Sequence, residues 1–476
     1  MKVSSKICDA ADWFHPEINA IIREELREIP RFHRKQWEFA MIFHVLRERG
    51  LLRPDSLGLS MGGGKELLLY AIASHIRQLV VTDLYDTQTT WDCAKTNDPD
   101  EFIRAGKPFP VDDNKVKALR MDMRALEFEE NTFDFCYSSC SIEHIGTRDD
   151  FLLHLNEASR VLKDGGIYVL TTELGYGEEI IEHPNNYVFT RSYLNDLFEE
   201  CGLTPETECN GSIVPHKVNY PIPANMKGLC HTNGEALSTS LFQEYTHVQL
   251  LRGKHPYTSA LFVLRKESKS NVRSRMIFSG IEASRSFLAA GIQEYRSLLD
   301  TTRVTLHPFS FLPREVSPFF ADHADFFAAM NQKPDRDGTL FHTDYYWFGS
   351  GTRTFSMKLA SYRADEESLL ELRLHRYRTA GPVAVECVKS MHCVVSGEAG
   401  KSVFMTVDVN DEYTYALLAK VVSGSCVMKS VEITSGAGTA PSQVSKATGP
   451  ALIGDANPVR LEVRGVARSL KRLLHL

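Results

Sequence analysis

Three consecutive glycines, Gly62–Gly64, begin two residues after an apolar run, Ser56–Ser60, that is typical of a buried strand. A helical pattern, Glu66–Ile76, begins just after them. Residues without a Cβ are needed where a chain turns tightly or passes close to a ligand. The sequence therefore predicts a strand, a glycine turn and a helix whose first amides can meet a polar or negative group.

Strand patterns and helix patterns alternate beyond this turn. Further strands are predicted at Gln78–Asp83, Val116–Met121, Phe133–Ser139 and Gly166–Thr172. Helices are predicted at Ala20–Arg27, Arg34–Arg49 and Asp150–Leu162, and His247–Leu251 and Ser259–Leu264 are predicted to close the sheet as a terminal hairpin. This alternation predicts a doubly wound, mostly parallel α/β sheet with helices on both faces.

Acids follow the second and third predicted strands. Asp83 ends the second strand, 19 residues after Gly64 (83 − 64 = 19), and Asp122 follows the third strand. Ligands of doubly wound sheets bind at the carboxyl ends of the strands. A carboxylate at position 83 can accept two hydrogen bonds from a ribose diol, and Asp122 would lie near an adenine.

Other interpretations of the glycine turn are tested by spacing. A dinucleotide fingerprint requires a third glycine where Leu67 stands. A phosphate-binding P-loop requires Ser or Thr where Glu66 stands, and an earlier glycine at 59 rather than at Gly58. Both spacings fit poorly, and a glycine turn without a ligand stays open as an alternative.

The composition narrows the class of protein. A formal net charge of −7 argues against a nucleic-acid-binding protein, which normally carries a basic face. The ten cysteines show no CxxC spacing, which favours a reduced, cytoplasmic setting. We expect no signal peptide and no membrane-spanning segment, because no stretch is long and apolar enough.

Four motifs resemble the class I S-adenosylmethionine-dependent methyltransferases, particularly the group that acts on small molecules, lipids and sugars. They are SLGLSMGGG, VVTDLY, MDMRALEFEENTFDFCYSSCSIEHI and EASRVLKDGGIYVLTTE, within about residues 32–266. The resemblance implies S-adenosyl-L-methionine as cofactor. It implies cofactor-binding roles for Ser60, Gly62, Gly64, Asp83, Asp122, Met123 and Ser138.

The turn departs from the family pattern at two positions. The family loop often carries an acid where Gly58 stands and a glycine where Ser60 stands. The acid near the methionine part of the cofactor is thus missing from its usual place. Glu66, or a residue from Arg34–Glu38, is a candidate replacement.

The segment after the fourth strand opens onto the reacting methyl group in this fold. Glu143 and His144 in that segment are candidate general bases, and Glu173 at the end of the fifth strand is a third. The alternative is that the Glu-His pair caps a helix or fixes the loop. His33 and Trp37 are candidates to cover the cofactor, although core packing suits Trp37 better.

The C-terminal part has a different sequence pattern, without the alternation of strands and helices. We predict a methyltransferase domain over 1–268, a helical or irregular connector over 269–337, a β-sandwich-like domain over 338–434 and a flexible linker over 435–457. Aromatic residues in Tyr345–Gly351 suggest either a sandwich core or a platform for sugar rings.

The last segment, 458–476, is predicted to form a basic amphipathic helix. Five basic residues and Glu462 within it give a charge of +4, which suits contact with an anionic membrane surface. Docking on the protein itself or on a dimer partner is the alternative, and the oligomeric state stays open.

Two hypotheses follow. The first is an O- or N-methyltransferase whose acceptor is a carbohydrate or a glycolipid-like molecule. The second is a scaffold or glycan-binding protein with a degenerate methyltransferase domain, which Gly58 and Ser60 keep open.

Overall fold

The computed structural model describes most of the chain. The described ranges are 5–89, 92–183, 186–223, 229–231, 247–267, 275–301, 304–306, 339–342, 347–361, 367–378, 385–396, 401–424 and 426–436. They divide into two compact units. The first lies within 1–226, 238–295 and 378–384, and the second within 227–237, 296–377 and 385–476. The predicted linker from residue 437 onward and the whole predicted basic tail lie outside the described residues.

The helices and strands are numbered in chain order. The helices are α1 (Pro16–Ala20), α2 (Arg34–Glu48), α3 (Leu67–Ala73), α4 (Pro99–Ala105), α5 (Arg148–Val161), α6 (Arg191–Glu200) and α7 (Ile281–Thr301). The strands are β1 (Ser5–Ile7), β2 (Leu57–Met61), β3 (Gln78–Asp83), β4 (Val116–Arg120), β5 (Phe133–Ser139), β6 (Leu162–Gly175), β7 (Ile181–His183), β8 (Asn186–Val188), β9 (Thr204–Pro205), β10 (Glu208–Asn210), β11 (Ile222–Pro223), β12 (Leu229–His231), β13 (Leu250–Arg252), β14 (His255–Arg265), β15 (Ile277–Ser279), β16 (Val304–Leu306), β17 (Thr339–His342), β18 (Gly351–Ser361), β19 (Glu367–Arg378), β20 (Val385–Ser396), β21 (Lys401–Val409), β22 (Tyr413–Ser423) and β23 (Cys426–Ser435).

The first unit is built on one large sheet. Its main path runs β15-β10-β1-β14-β6-β5-β2-β3-β4. Strands β6, β5, β2, β3 and β4 are parallel, and β14 is antiparallel to β6. This confirms the predicted doubly wound, mostly parallel α/β fold. Because the carboxyl ends of the parallel strands meet at one edge, residues after β2, β3, β5 and β6 lie along the same edge.

Both faces of this sheet are covered, as its parallel strands require. Neighbouring residues of β3 show the alternation, since Leu79 and Val81 pack in one core and Val80 packs in the other. The first core includes residues of α2 and α3, and the second includes residues of α5 and α6. Trp37 belongs to the first core and is fully buried, which confirms core packing rather than a cover for the cofactor.

One prediction about the edge of the sheet is wrong. Strands β13 and β14 do form an antiparallel hairpin, but β14 does not close the sheet. Strand β1 pairs with its other side, and β10 and β15 extend the sheet further. Each of these added strands has only three residues, too few to show a periodic pattern in the sequence.

The second unit is built from antiparallel strands, which confirms an all-β fold. One sheet has the order β12-β16-β23-β18-β21, and the other has the order β17-β22-β19-β20. Trp347 and Phe348 are buried, so these two rings offer no exposed stacking face for a sugar. Tyr345 and Tyr346 lie outside the described residues.

None of the described helices is both long enough and apolar enough to span a bilayer.

Candidate active site

The glycine turn joins β2 to α3 at the carboxyl edge of the sheet. Gly62 and Gly64 have φ angles of 64° and 46°, which glycine adopts without strain. A Cβ on Gly63 would lie 2.3 Å from the Oγ of buried Ser60, and a Cβ on Gly62 would lie 2.7 Å from the Cβ of Ser141. The turn therefore needs glycine for its backbone conformation and for close packing against its neighbours.

Asp83, the last residue of β3, is bonded to this turn. Its Oδ2 accepts a hydrogen bond from the Gly64 amide at 2.9 Å, and its Oδ1 accepts one from the Leu84 amide at 2.7 Å. Burial raises the pKa of the Asp83 carboxyl, while these amides favour its charged form. A carboxylate oxygen has more than one lone pair, so both oxygens can still accept a hydrogen bond from a ribose hydroxyl.

Asp122 and Met123 follow β4, on the far side of β3. Met123 is buried, and its Cε lies 3.1 Å from the position of a Cβ on Gly62. Asp122 forms an ion pair with Arg124 at 2.6 Å, and Arg124 also contacts Asp150 at 2.8 Å. The hydrogen bonds from Arg124 lower the pKa of Asp122 and keep it charged.

Ser138, near the end of β5, takes part in a buried hydrogen-bond chain. Its Oγ lies 2.6 Å from the Tyr168 hydroxyl, which in turn lies 2.7 Å from Nε2 of His154. Burial lowers the pKa of His154 to about 4, so this chain is neutral at physiological pH. The structure therefore places the Ser138 hydroxyl among side chains of the sheet and α5, and its role in cofactor binding stays a prediction.

The segment after β5 is tied to the glycine turn. Cys140 has a φ of 50°, which is uncommon for a residue with a Cβ, and Ser141 Oγ donates a hydrogen bond to the Gly62 carbonyl at 3.1 Å. The residues Ile142–His144 then form a 3₁₀ turn in which Glu143 is buried and His144 is half-buried. Two of the predicted catalytic residues thus belong to one segment held against the predicted cofactor loop.

Glu143 and Glu173 form a buried pair of acids. Glu143 Oε2 accepts a hydrogen bond from Thr172 at 2.9 Å, while its buried Oε1 has no hydrogen-bond partner within the described part of the chain. Burial, together with the negative charge of Glu173, raises the pKa of Glu143 to about 8. Catalytic bases work best when their pKa lies near the operating pH, and Glu143 meets this condition.

Arg34, in the first turn of α2, neutralises Glu173. Its guanidinium forms an ion pair with Glu173 Oε1 and donates a hydrogen bond to Ser259 Oγ at 3.0 Å. Arg252 lies 3.8 Å from Glu173 Oε2, and Asn186 donates a hydrogen bond to the same oxygen at 3.4 Å. Glu173 is therefore held by two cations and an amide.

Glu38, one turn further along α2, is fully buried and links the neighbouring charges. Its Oε1 accepts a hydrogen bond from Ser259 at 2.5 Å, and its Oε2 lies 3.3 Å from the Lys35 ammonium. Burial alone would raise the pKa of Glu38, but Lys35 and Arg34 outweigh it and lower the pKa. Arg34, Lys35 and Glu38, named here the α2 charge cluster, are therefore all ionised.

The sequence pattern indicates Arg34–Glu38 only as the source of a replacement acid. A signal for a larger role was present, because the three charged residues occupy one turn of a helix whose other residues are mostly buried. Ser259, which bonds to two members of the cluster, gave no such signal because it stands inside an apolar strand.

The structure explains the missing acid at Gly58. A Cβ at this position would lie 2.4 Å from Cζ of the Phe135 ring, so the ring occupies the space of a side chain. An acid at position 58 would have to displace Phe135. The packing of the core therefore explains why this chain departs from the family pattern here.

We therefore predict that Gly58→Asp destabilises the protein rather than restoring a cofactor contact. Overpacking against Phe135 costs about 1–3 kcal/mol, and an unpaired buried carboxylate adds to this. Urea unfolding measures the change. Gly177→Asp is the matched control, because its Cβ would meet nothing closer than 3.9 Å, and we expect a change within about 0.5 kcal/mol there. Equal stability of the two variants would contradict the prediction.

Comparison with known proteins agrees with this arrangement. Residues 59–170 match the family model described as a methyltransferase domain. The matched range contains the glycine turn, Asp83, Asp122 and the segment with Glu143 and His144. Residues 59–170 of the chain are thus similar to a methyltransferase domain.

No curated protein matches the sequence. Similar solved structures include 1,6-didemethyltoxoflavin-N1-methyltransferase from Burkholderia thailandensis, with bound 1,6-didemethyltoxoflavin and S-adenosylhomocysteine. It is 13% identical and covers 50% of this chain and 80% of its own, with a TM-score of 0.31. Geranyl diphosphate C-methyltransferase from Streptomyces coelicolor A3(2) is 14% identical, with 55% and 90% covered and a TM-score of 0.32. Likeness at this level does not bear on the acceptor of this chain.

Proposed function

We propose that this protein transfers a methyl group from S-adenosyl-L-methionine to an oxygen or nitrogen of a carbohydrate or glycolipid-like acceptor. The proposal rests on the arrangement of residues at one edge of the sheet, where the carboxyl ends of the parallel strands meet. A glycine turn bonded to Asp83 lies there beside a segment that carries the buried Glu143. This arrangement stands inside the range that matches a methyltransferase domain.

The cofactor would lie along this edge in the order of the strands. Asp122 and Met123 after β4 would hold the adenine, Asp83 after β3 would hold the ribose, and the turn after β2 would pass the sulfur. Adjacent strands are about 4.8 Å apart, so these subsites follow one another at the spacing of a nucleoside's parts. When bound, the cofactor supplies an activated methyl group, and the protein's main task is in-line positioning of the acceptor.

The side of the edge near β6 has the features of a site for a polar acceptor. Arg34 Nε, Glu143 Oε1 and Asn186 Oδ1 are buried, and each lacks a hydrogen-bond partner among the residues that the structure describes. An unsatisfied buried polar atom costs about 1–3 kcal/mol. A ligand that both donates and accepts hydrogen bonds, such as a sugar, would satisfy all three, whereas an apolar acceptor would not.

Glu143 is the base that the geometry favours for a hydroxyl acceptor. It is buried, its Oε1 has no hydrogen-bond partner among the described residues, and its pKa is raised to about 8 by burial and by Glu173. His144 is half-buried in the same turn and is the second candidate. Glu173 is held by Arg34 and Arg252, which suits a positioning role better than proton transfer.

Isothermal titration calorimetry with S-adenosylmethionine and S-adenosylhomocysteine tests the proposed function. We expect both ligands to bind to the full chain at micromolar to submillimolar concentration. The absence of binding at millimolar ligand would overturn the proposal and favour the alternative, a non-catalytic scaffold with a degenerate domain.

Four further expectations complete the proposal. The β-rich domain, predicted from the sequence over 338–434, contacts a glycan. The basic tail contacts a membrane surface, the protein is cytoplasmic, and it functions in polysaccharide biosynthesis. A screen of monosaccharides, amino sugars and lipid-linked sugars with radiolabelled S-adenosylmethionine would identify the acceptor.

A further inference from the structure

The Lys35–Glu66 pair lies where α2 approaches the glycine turn. The Lys35 ammonium is 3.0 Å from Glu66 Oε1 and 3.3 Å from Glu38 Oε2. It also donates hydrogen bonds to the carbonyl and the hydroxyl of Ser139 at 2.8 and 2.9 Å. Lys35 thus links Glu66 to the end of β5, and Lys35 also forms an ion pair with Glu38.

The second carboxyl oxygen of Glu66 has no hydrogen-bond partner in the described part of the chain. Oε2 is buried and forms no hydrogen bond with any residue that the structure describes. Glu66 occupies the N-cap position of α3, yet its side chain makes no capping hydrogen bond. The side chain is therefore paired with Lys35 and does not cap the start of the helix.

The position of Glu66 relates it to the amino-acid end of the cofactor. It stands two residues after Gly64, whose amide binds the ribose candidate Asp83. Strand β2 lies between β3 and β5 in the sheet, so the amino-acid branch would leave the sulfur near the end of β2. The usual acid for this branch is absent at Gly58, where Phe135 fills the space.

The charges around Glu66 also favour a positively charged ligand group. The negative charges of Glu38 and Asp83 both act on Glu66, and Lys35 is the cation paired with it. Burial raises the pKa of Glu66 to about 7 even though Lys35 opposes this. An additional cation next to Oε2 would offset the negative charge of these acids, and it would also give Oε2 a hydrogen-bond partner.

We propose that Glu66 binds the α-ammonium group of the cofactor's amino-acid end through Oε2, with Lys35 as the positioning residue that holds the carboxylate in place. This proposal rests on the proposed function, because it requires S-adenosylmethionine as cofactor. It assigns to Glu66 the contact that the family acid would make from position 58, transferred from the strand to the residue before α3.

Two ligands that differ only at the amino-acid end test this proposal. S-adenosylhomocysteine carries that end, whereas 5′-methylthioadenosine keeps the adenosine and the sulfur but lacks it. By calorimetry on the full chain, we expect Glu66→Gln to weaken S-adenosylhomocysteine at least tenfold and to leave methylthioadenosine within twofold. The exposed Glu127→Gln is the matched control and is expected to change neither affinity.

A measurement on the wild type guards against a variant that fails to fold. An S-adenosylhomocysteine analogue with a hydroxyl in place of the amino group is expected to bind at least tenfold more weakly than the parent compound. Equal weakening of both ligands by Glu66→Gln, no effect on either, or equal affinity for the deaminated analogue would overturn this proposal alone. If the wild type binds neither S-adenosylhomocysteine nor methylthioadenosine, the proposed function itself falls, and this proposal falls with it.

Discussion

Replacing Asp83 with alanine is expected to weaken S-adenosylhomocysteine binding by more than about tenfold, which corresponds to about 1.4 kcal/mol. The substitution removes the acceptors for the ribose diol. It also leaves the Gly64 and Leu84 amides without the carboxylate that now accepts their hydrogen bonds. The glycine turn then loses the contact that fixes it to β3. Calorimetry with the purified variant measures the change.

Asp86→Ala is the control for this prediction. Asp86 is an exposed acid three residues further along, and its carboxylate accepts a hydrogen bond from the Gln88 amide. Its removal changes the net charge in the same way but touches no part of the turn, so we expect less than a twofold change in affinity. If both variants lose affinity equally, the effect of Asp83 is a charge effect and the ribose contact is wrong.

Replacing Glu143 with glutamine is expected to lower kcat by about 10²–10⁴-fold, the usual contribution of a general base. Glutamine keeps the shape of the side chain and the hydrogen bond with Thr172, but it cannot take a proton. We expect the affinity for S-adenosylhomocysteine to stay within about twofold. The measurement is methyl transfer to the acceptor that the screen identifies, with Glu127→Gln as the unaffected control.

The pH dependence of the wild type gives the sign of this effect. Burial and the charge of Glu173 raise the pKa of Glu143 to about 8, so the carboxyl is mostly protonated at pH 7 and becomes a competent base as the pH rises. The rate is therefore expected to increase between about pH 7 and 9 and then to level off. Infrared difference spectra should show a larger loss of carboxyl C=O intensity over the same range in the wild type than in Glu143→Gln, where Glu66, with a pKa of about 7, still titrates. A rate that falls over this range would contradict the assignment.

The positions of the parallel strands along the chain could be predicted from the sequence, and the edges of the sheet could not. The strands β2, β3, β4, β5 and β6 are apolar runs, most of them separated by helices, and periodicity is enough to find them. Strands β1, β10 and β15 have three residues each and depend on neighbours that are far away in the chain. Their pairing is a tertiary effect that leaves little trace in local sequence.

The candidate site likewise contains residues that could be predicted from the sequence and residues that could not. Asp83 could be predicted because a glycine turn and an acid at the end of the next strand have a fixed spacing along the chain. The contacts of Lys35 with Ser139, Arg34 with Glu173, and Glu38 with Ser259 span 104, 139 and 221 residues. No local pattern fixes where α2 packs on the sheet, so the role of the α2 charge cluster required the structure.

The central claim is that an adenosyl ligand lies across the carboxyl ends of β4, β3 and β2, with its sulfur directed at the segment after β5. A crystal structure of the complex with S-adenosylhomocysteine tests this most directly. The account predicts the ribose hydroxyls within hydrogen-bond distance of Asp83, the sulfur between the glycine turn and the segment that carries Glu143, and the ammonium group at Glu66. A ligand bound elsewhere, or a turn closed by Ser60 and Ser141 with Asp83 directed away from the ribose, would contradict it.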